Sequence, residues 1–487
     1  MIGLTLAEVA NATGGRLDAG TDPEAVVSGA VTIDSRAVGA GDLFVALPGE
    51  RVDGHDFAAA AVAAGAVAVL ATRSIGGSAP DSSSTIPAVL VDDPVTALGL
   101  LARAVRDRLP DLVVVGVTGS SGKTSTKDLI AAVLARAGRT VANVGSFNNE
   151  IGAPLTVLTV DAETRFLVVE MGARGVGHIA YLCGLTRPDI GVVLNVGAAH
   201  AGEFGGREAT ARAKGELVEA LAPAGLAVLN ADDPLVSAMA ERTQARVTYT
   251  GISAKAQVRA ENVSLDEEAR AGFDLVVDDT GSGSAGPVRV QLAVHGAHHV
   301  GNALAAAAVG LEAGLPPAEI AAALSGAGAA SRWRMEVRRR DDGLVVVNDA
   351  YNANPDSMSA ALHALVAMAA ALPPPSAGWA VLGEMLELGA ESVAEHRAVG
   401  RLVAELGLAG LVAVGPGAEP IAAAARASTE LRVLTADGVD EAVTLVQQNV
   451  RGTDIVLIKA SRDIGLERVA NRLLTVGTVN ADARPDD

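Results

Sequence analysis

The chain has 487 residues, half of them apolar, a fifth charged and only 2% aromatic, which exceeds one compact core and excludes a disordered or fibrous chain. A net charge of −19 argues against non-specific attachment to nucleic acid or an anionic membrane, so a phosphorylated substrate needs a local cationic site. Cys183 is the only cysteine, which excludes an internal disulfide.

The N-terminus (MIGLTLAEVANATGG) lacks a basic segment followed by a long apolar one, so no signal peptide is expected. The apolar run from Phe57 to Thr72 is broken by Gly65 and falls short of the ~20 residues that a membrane span needs. It reads as a buried helix leading into a short strand, AVAVLA. A cytoplasmic protein with no membrane or nucleic-acid partner is expected. The first hundred residues alternate short strands with Ala-rich helices, interrupted by the polar stretch TRSIGGSAPDSSST. After a break at Leu109-Pro110-Asp111 come LVVVGV, FLVVEMG, DIGVVLNVG and GLAVLN, each ahead of a turn and a helical pattern. That alternation predicts a mostly parallel sheet covered on both faces. Short segments from Val247 to Leu292, broken by GSGSAGP, read as a small β insertion, and Asn302 to Gly326 as one Ala-rich helical stretch. A third series follows in GLVVVND, GWAVLGEM, GLVAVG and DIVLIKAS, with LPPPSAG as a loop inside it; the last dozen residues are polar and expected to fray. Three α/β domains result: 1–109, 110–328 and 329–487.

The strongest signal is VVVGVTGSSGKTSTKDLIAAVLARAG. A buried strand enters a turn containing Gly119, Ser120, Ser121 and Gly122, and a helix begins at Lys123 with Leu129, Ile130, Val133 and Leu134 on one side. Glycines let backbone amides face inward, and the helix N-terminus adds positive partial charge. Lys123 then reaches the β/γ-phosphates and the Thr124 hydroxyl sits on Mg²⁺, with Ser125 following. The GxxxxGK[ST] pattern places a glycine at position 117, where this chain has valine. An ordinary Gly-rich turn is the bland alternative, but GKT at a helix start favours ATP or GTP.

Glu170 ends the strand FLVVE, at the sheet edge where parallel sheets bind ligands. His200 follows the strand DIGVVL, and Lys214 lies on a helical stretch, EATARAKGEL. Carboxylate and neutral imidazole suit Mg²⁺ or Mn²⁺ when phosphates complete the shell. Taken singly, these residues read as a helix cap, a surface histidine and a solvated charge; their joint position after the phosphate loop gives them value. Only five of the 38 basic residues are lysines (Lys123, Lys127, Lys214, Lys255 and Lys459), so a retained lysine points to amine chemistry or compact contacts that a guanidinium cannot supply.

The segments GVTGSSGKTSTK, SFNNEIGAPLT, VVEMGARGVGHIA, LNVGAAHAGEFGG, ARAKGEL, VNDAYNANPDSM, VLGEMLELGAESVAEH and VLIKASR resemble, in that order, the Mur ligase family. NDAYNANP with GEMLELG resembles its MurF branch, and IDSRAVGAGDLFVALPGERVDGHDF extends the likeness to the front of the chain. The resemblance implies a UDP-substrate domain, a central P-loop ATPase domain and a Rossmann-like C-terminal domain. It implies an ATP-dependent ligase of peptidoglycan precursor synthesis that joins D-alanyl-D-alanine to UDP-N-acetylmuramoyl-tripeptide through an acyl phosphate, acting as a monomer. Thr124, Glu170, His200 and Lys214 would hold two Mg²⁺ ions, with Lys214 carbamylated by CO₂. Asn302, Arg334 and Asp349 match positions for adenine, phosphates and ribose. Ser35 and Arg36 match the nucleotide-sugar site, and Asn148 and Asn149 the muramoyl part. Tyr351, Asn352, Lys459, Ser461 and Arg462 match motifs facing the dipeptide or ATP. Ser146 stands where many relatives carry Asn. His396 and Asp349 are candidate acceptors of the amine's proton. Competing expectations are another amide ligase of this superfamily, MurE-like or folylpolyglutamate-synthase-like, and a P-loop switch protein.

Overall fold

Runs of β-branched residues, buried on both faces, pair in parallel and organise three sheets. The computed structural model describes residues 2–49, 52–76, 86–197, 206–278, 286–427 and 430–475. His200, the Ser/Gly-rich stretches at 77–85 and 279–285, and the segment from 476 onward lie outside them. No helix among the described residues is long and apolar enough to cross a membrane.

The first sheet orders Arg16–Leu17, Ala88–Leu90, Ala68–Ala71, Leu43–Val45 and Val31–Thr32, parallel except for its first pair. The helix Ala58–Ala63 precedes the buried strand Ala68–Ala71, as the apolar run predicts. Helix Pro94–Asp107 starts where Asp93 accepts the amides of Val95 and Thr96 and proline occupies the first turn. Its apolar face joins one core with Ile179, Leu182, Leu217 and Val218 of the next unit.

The central sheet has nine strands. Val113–Thr118 lies between Phe166–Glu170, with Thr140–Ala142 beyond it, and Ile190–Val193, all parallel. The chain therefore leaves its first strand, goes to one edge and returns to the other side, which places a topological switch point at the carboxyl end of Val113–Thr118. Leu226–Asn230, Arg246–Gly251 and Val258–Leu265 continue the parallel run; Arg270–Val277 and Val288–His295 close it antiparallel. The segment expected as a β insertion is thus the edge of the main sheet. Helices Lys123–Leu134 and His299–Glu312 cover one face through Leu129, Ile130, Val133, Ala303, Leu304 and Val309. The expected single helix Asn302–Gly326 is two, His299–Glu312 and Pro317–Gly326, because Gly314 takes φ +84° and prolines follow.

The third sheet orders Glu336–Arg339, Val345–Asn348, Ile455–Lys459, Gly378–Leu382, Gly410–Val414 and Arg432–Ala436, antiparallel only at its first pair. Its carboxyl edge, at Asn348 and Lys459, faces the phosphate loop of the central domain.

Candidate active site

Helix Lys123–Leu134 begins at Gly122, whose φ is +78° and where a Cβ would lie 2.7 Å from Asn302 Oδ1. Only glycine meets both demands. Asn195, at the end of the neighbouring strand, shapes the turn before it. Its Oδ1 accepts the amides of Ser120 (3.0 Å) and Ser121 (2.9 Å), and its Nδ2 donates to Ser121 O (3.2 Å). Asn354 Nδ2, from the third domain, donates to Ser120 O at 3.2 Å. Lys123 Nζ folds back onto Gly119 O at 2.8 Å.

Thr124 and Glu170 meet at the switch point. Thr124 Oγ1 donates to Glu170 Oε2 at 2.8 Å, and Asn148 Nδ2 donates to Glu170 Oε1 at 2.7 Å. Ser146 Oγ lies 3.0 Å from Thr124 Oγ1. From the third domain Arg334 Nη2 donates to Thr124 Oγ1 at 3.0 Å and approaches Ser146 Oγ at 3.4 Å. Its guanidinium lies 4.3 Å over the Tyr351 ring, while Arg462 stacks 4.2 Å over Trp333. Trp333 and Met335, on either side of Arg334, both have positive φ, 58° and 48°. Such backbone costs about 1–3 kcal/mol per residue and persists only where neighbours hold it. Here Met335 N donates to Asp349 Oδ1 at 3.0 Å and Arg462 covers Trp333.

Thr124, Ser146, Asn148, Glu170, Arg334 and Tyr351 border a cavity of about 340 Å³ that also reaches Asn149, Lys214 and Asn352. Burial lowers the basicity of Lys123, against the pull of the Glu170 carboxylate. Lys214, on helix Arg207–Glu219 and 3% exposed, is pushed well below the ordinary lysine value by burial and then by the charge of Lys123. Among the described residues it forms no hydrogen bond or ion pair, so an amine of lowered basicity faces the cavity. Arg334 Nε is buried with no partner among the described residues. A desolvated guanidinium donor left open calls for an anion.

A second cavity, about 110 Å³, adjoins the first and is bordered by Asn302, Ser125, Asp349, Lys459 and His299. Lys459 Nζ pairs with Asp349 Oδ2 at 2.6 Å and donates to Asn352 O at 2.9 Å. Burial drives His299 well below the ordinary histidine value, and its Nδ1 lies 3.2 Å from Asn302 Nδ2, consistent with a neutral ring.

Not every candidate joins this constellation. Ser35 and Arg36 lie in the first domain, where Arg36 makes a two-point contact with Asp34 at 2.8 Å and its side chain is 88% exposed. The Ser461 hydroxyl accepts Leu386 N at 2.9 Å and is buried, which makes it a brace of the loop before it. His396 is 1% exposed, accepts Met385 N at 2.9 Å through Nε2 and has Nδ1 2.7 Å from Ser392 O. Both ring nitrogens are engaged in holding its own domain, so its candidacy as proton acceptor is withdrawn. Asn195 and Asn354 were not anticipated. The signal available for Asn195 was an amide side chain directly after a buried strand, and for Asn354 an Asx cap before proline.

A phosphate loop, a buried carboxylate and an arginine from a second α/β domain around one cavity define a P-loop enzyme of nucleotide-dependent phosphoryl transfer. Residues 29–106 match the Mur ligase family catalytic domain, 117–310 the Mur ligase middle domain, and 333–462 the Mur ligase glutamate ligase domain. The UDP-N-acetylmuramoyl-tripeptide--D-alanyl-D-alanine ligase of Mycobacterium leprae is 46% identical, covering 98% of this chain and all of the relative. The Escherichia coli ligase of the same name is 35% identical at 98% and 100% coverage. A crystal structure of MurF from Acinetobacter baumannii superposes with a TM-score of 0.84 at 31% identity, over 97% of this chain and 99% of that one. MurF ligase from Thermotoga maritima, solved in complex with ADP, gives 0.76 at 29% identity over 91% and 97%. The chain belongs to the Mur ligase family.

Proposed function

We propose that this ligase uses ATP to join D-alanyl-D-alanine to UDP-N-acetylmuramoyl-tripeptide, in the MurF step of peptidoglycan precursor synthesis. The carrying observation is the contact of Arg334, from the third domain, with Thr124 of the phosphate loop, which is itself bonded to Glu170. Two domains thereby supply charge to one cavity, as a reaction between two anions requires. The likeness to MurF relatives along nearly the whole chain supports the choice of substrates.

In this reading the amides at the start of helix Lys123–Leu134, with Lys123 and Arg334, receive the ATP phosphates. Asn302, Asp349 and Lys459 border the smaller cavity, where the nucleoside fits. Thr124 and Glu170 form a hydroxyl–carboxylate donor pair of the kind Mg²⁺ accepts when phosphate oxygens and water fill its other positions. His200, which lies outside the described residues, is assigned as a further ligand from the family resemblance. Thr124 and Glu170 would hold that ion, which would supply charge neutralisation for the phosphates.

The γ-phosphoryl group passes to the tripeptide's terminal carboxylate, forming an acyl phosphate and ADP; the dipeptide amine attacks the acyl carbon and phosphate leaves. Asn148 and Asn149 border the path of the muramoyl-peptide, and Tyr351, Asn352 and Arg462 that of the dipeptide. Ser35 and Arg36 are assigned to the nucleotide-sugar end. Lys214, its basicity lowered by burial, would as a free amine add CO₂ and release a proton to form a carbamate, turning a potential cation into an anion that would help hold a second Mg²⁺. A monomeric enzyme is part of the same proposal, and the need for ATP supports a cytoplasmic setting for it.

The test is a product mass spectrum after incubation with ATP, Mg²⁺, UDP-N-acetylmuramoyl-tripeptide and D-alanyl-D-alanine. The expected product is the tripeptide plus the dipeptide less one water, with one ADP for each molecule formed. Addition of a single amino acid in preference to the dipeptide would instead support a MurE-like ligase.

A further inference from the structure

Lys127 is one of only five lysines in a chain that otherwise uses arginine, and the reaction above leaves it without a role. It lies one turn inside helix Lys123–Leu134 and is 2% exposed. Its ammonium has three N–H groups and three acceptors: Asn143 O at 2.7 Å, Gly145 O at 3.4 Å and Asp128 Oδ1 at 2.8 Å. Two of these are backbone carbonyls of the irregular segment 143–149, which borders the larger cavity through Ser146, Asn148 and Asn149. Apolar packing does little to hold that segment, since Val144 is 79% and Phe147 53% exposed. Its anchors are polar instead. Asn143 Oδ1 accepts Glu170 N at 3.0 Å, Gly172 N donates to Asn148 O at 2.8 Å, and the buried ammonium ties down the turn between them. A compact tetrahedral ammonium reaches three divergent acceptors; a planar guanidinium does not.

We infer that Lys127 is a positioning residue that fixes segment 143–149 and thereby sets affinity for the carboxylate substrate more strongly than affinity for ATP, which the segment reaches only through Ser146 and Asn148. The inference rests on the reading that Asn148 and Asn149 face the muramoyl-peptide. Asp128 extends the arrangement, because its other oxygen accepts Ser331 Oγ at 2.7 Å, at the entry to the third domain.

The experiment measures KM for UDP-N-acetylmuramoyl-tripeptide and for ATP in the wild type, Lys127→Met and Lys127→Arg, with ADP affinity by calorimetry. Loss of the three divergent ammonium contacts should raise the tripeptide KM roughly tenfold or more in both variants, with a distinctly smaller rise in ATP KM and with ADP affinity measured without Mg²⁺ within about twofold of wild type. Equal rises for both substrates, or an unchanged tripeptide KM with a lower melting temperature, would overturn the inference. If Lys127→Met does not fold, Gly145→Ala displaces one acceptor at a backbone with φ +58° and is expected to give the same split; an unchanged tripeptide KM there also overturns it. Wild-type enzyme that forms no dipeptide adduct would refute the proposed reaction itself, a separate outcome.

Discussion

Replacing Lys459 by Met tests the electrostatic frame that joins the third domain to the nucleotide site. The Lys459 and Asp349 side chains are 2% and 10% exposed, and their 2.6 Å contact gives Asp349 Oδ2 its cation. Without Lys459 the carboxylate keeps, among the described residues, only the Met335 amide at 3.0 Å on its other oxygen. Leaving one partner of a buried pair uncompensated typically costs about 3–5 kcal/mol, whereas removing both charges is far milder. Lys459→Met should therefore lower stability by about 3–5 kcal/mol, and Lys459→Met with Asp349→Asn should recover most of that loss. Both tryptophans, Trp333 and Trp379, belong to the third domain, so urea unfolding followed by tryptophan fluorescence reports on the affected unit. ADP affinity should fall in the single variant as well, because Asp349 borders the smaller cavity, which is proposed to take the nucleoside. A double variant no more stable than the single one, or a single-variant loss below about 1 kcal/mol, would refute the reasoning.

Lys214→Ala should lose activity by roughly 10²- to 10³-fold, the scale for removing one preorganised charge, and regain part of it with formate or acetate; lack of rescue counts against a carbamate. Glu170→Ala should shift the Mg²⁺ titration of activity to higher concentration, and an unchanged titration would remove Glu170 from the metal site. His299 is buried neutral with its basicity well below the unfolded value of 6.5. The unfolded chain therefore binds the extra proton first, and stability contributed by this site is present above about pH 6.5 and is lost as pH falls below it. His299→Gln should flatten that acid limb in urea unfolding at pH 5 against pH 7; an unchanged slope would assign the dependence elsewhere.

The parts of this architecture legible in the sequence are those written in uninterrupted patterns. VVVGVT, FLVVE and IVLIK are buried strands because valine and isoleucine runs suit a sheet covered on both faces, and the Gly-Ser turn before Lys123 marks the helix start. The helix pair 299–312 and 317–326 was read as one because alanine dominates both halves and conceals the stop at Gly314. Glu336–Arg339 was missed because a charged, half-exposed edge strand carries no period-two apolar signal. In the site, Lys123 and Thr124 follow from loop chemistry and Glu170 from its strand end, whereas Lys214 stands out only by its joint position after the phosphate loop and the scarcity of lysine. Arg334, Asp349 and Tyr351 came only with the family resemblance, since nothing local tells a surface arginine from one crossing a domain boundary. Asn195 and Asn354 read locally as a strand end and a helix cap. Their bonds to the phosphate loop depend on a tertiary approach that no short window of sequence encodes.

The central claim is that γ-phosphoryl transfer activates the substrate's own carboxylate within the cavity between Lys123 and Arg334. It is tested most directly with UDP-N-acetylmuramoyl-tripeptide carrying ¹⁸O in its terminal carboxylate, followed by mass analysis of the released phosphate. The account predicts one ¹⁸O atom in each phosphate released during peptide-bond formation. Unlabelled phosphate, formed alongside the correct product, would contradict it.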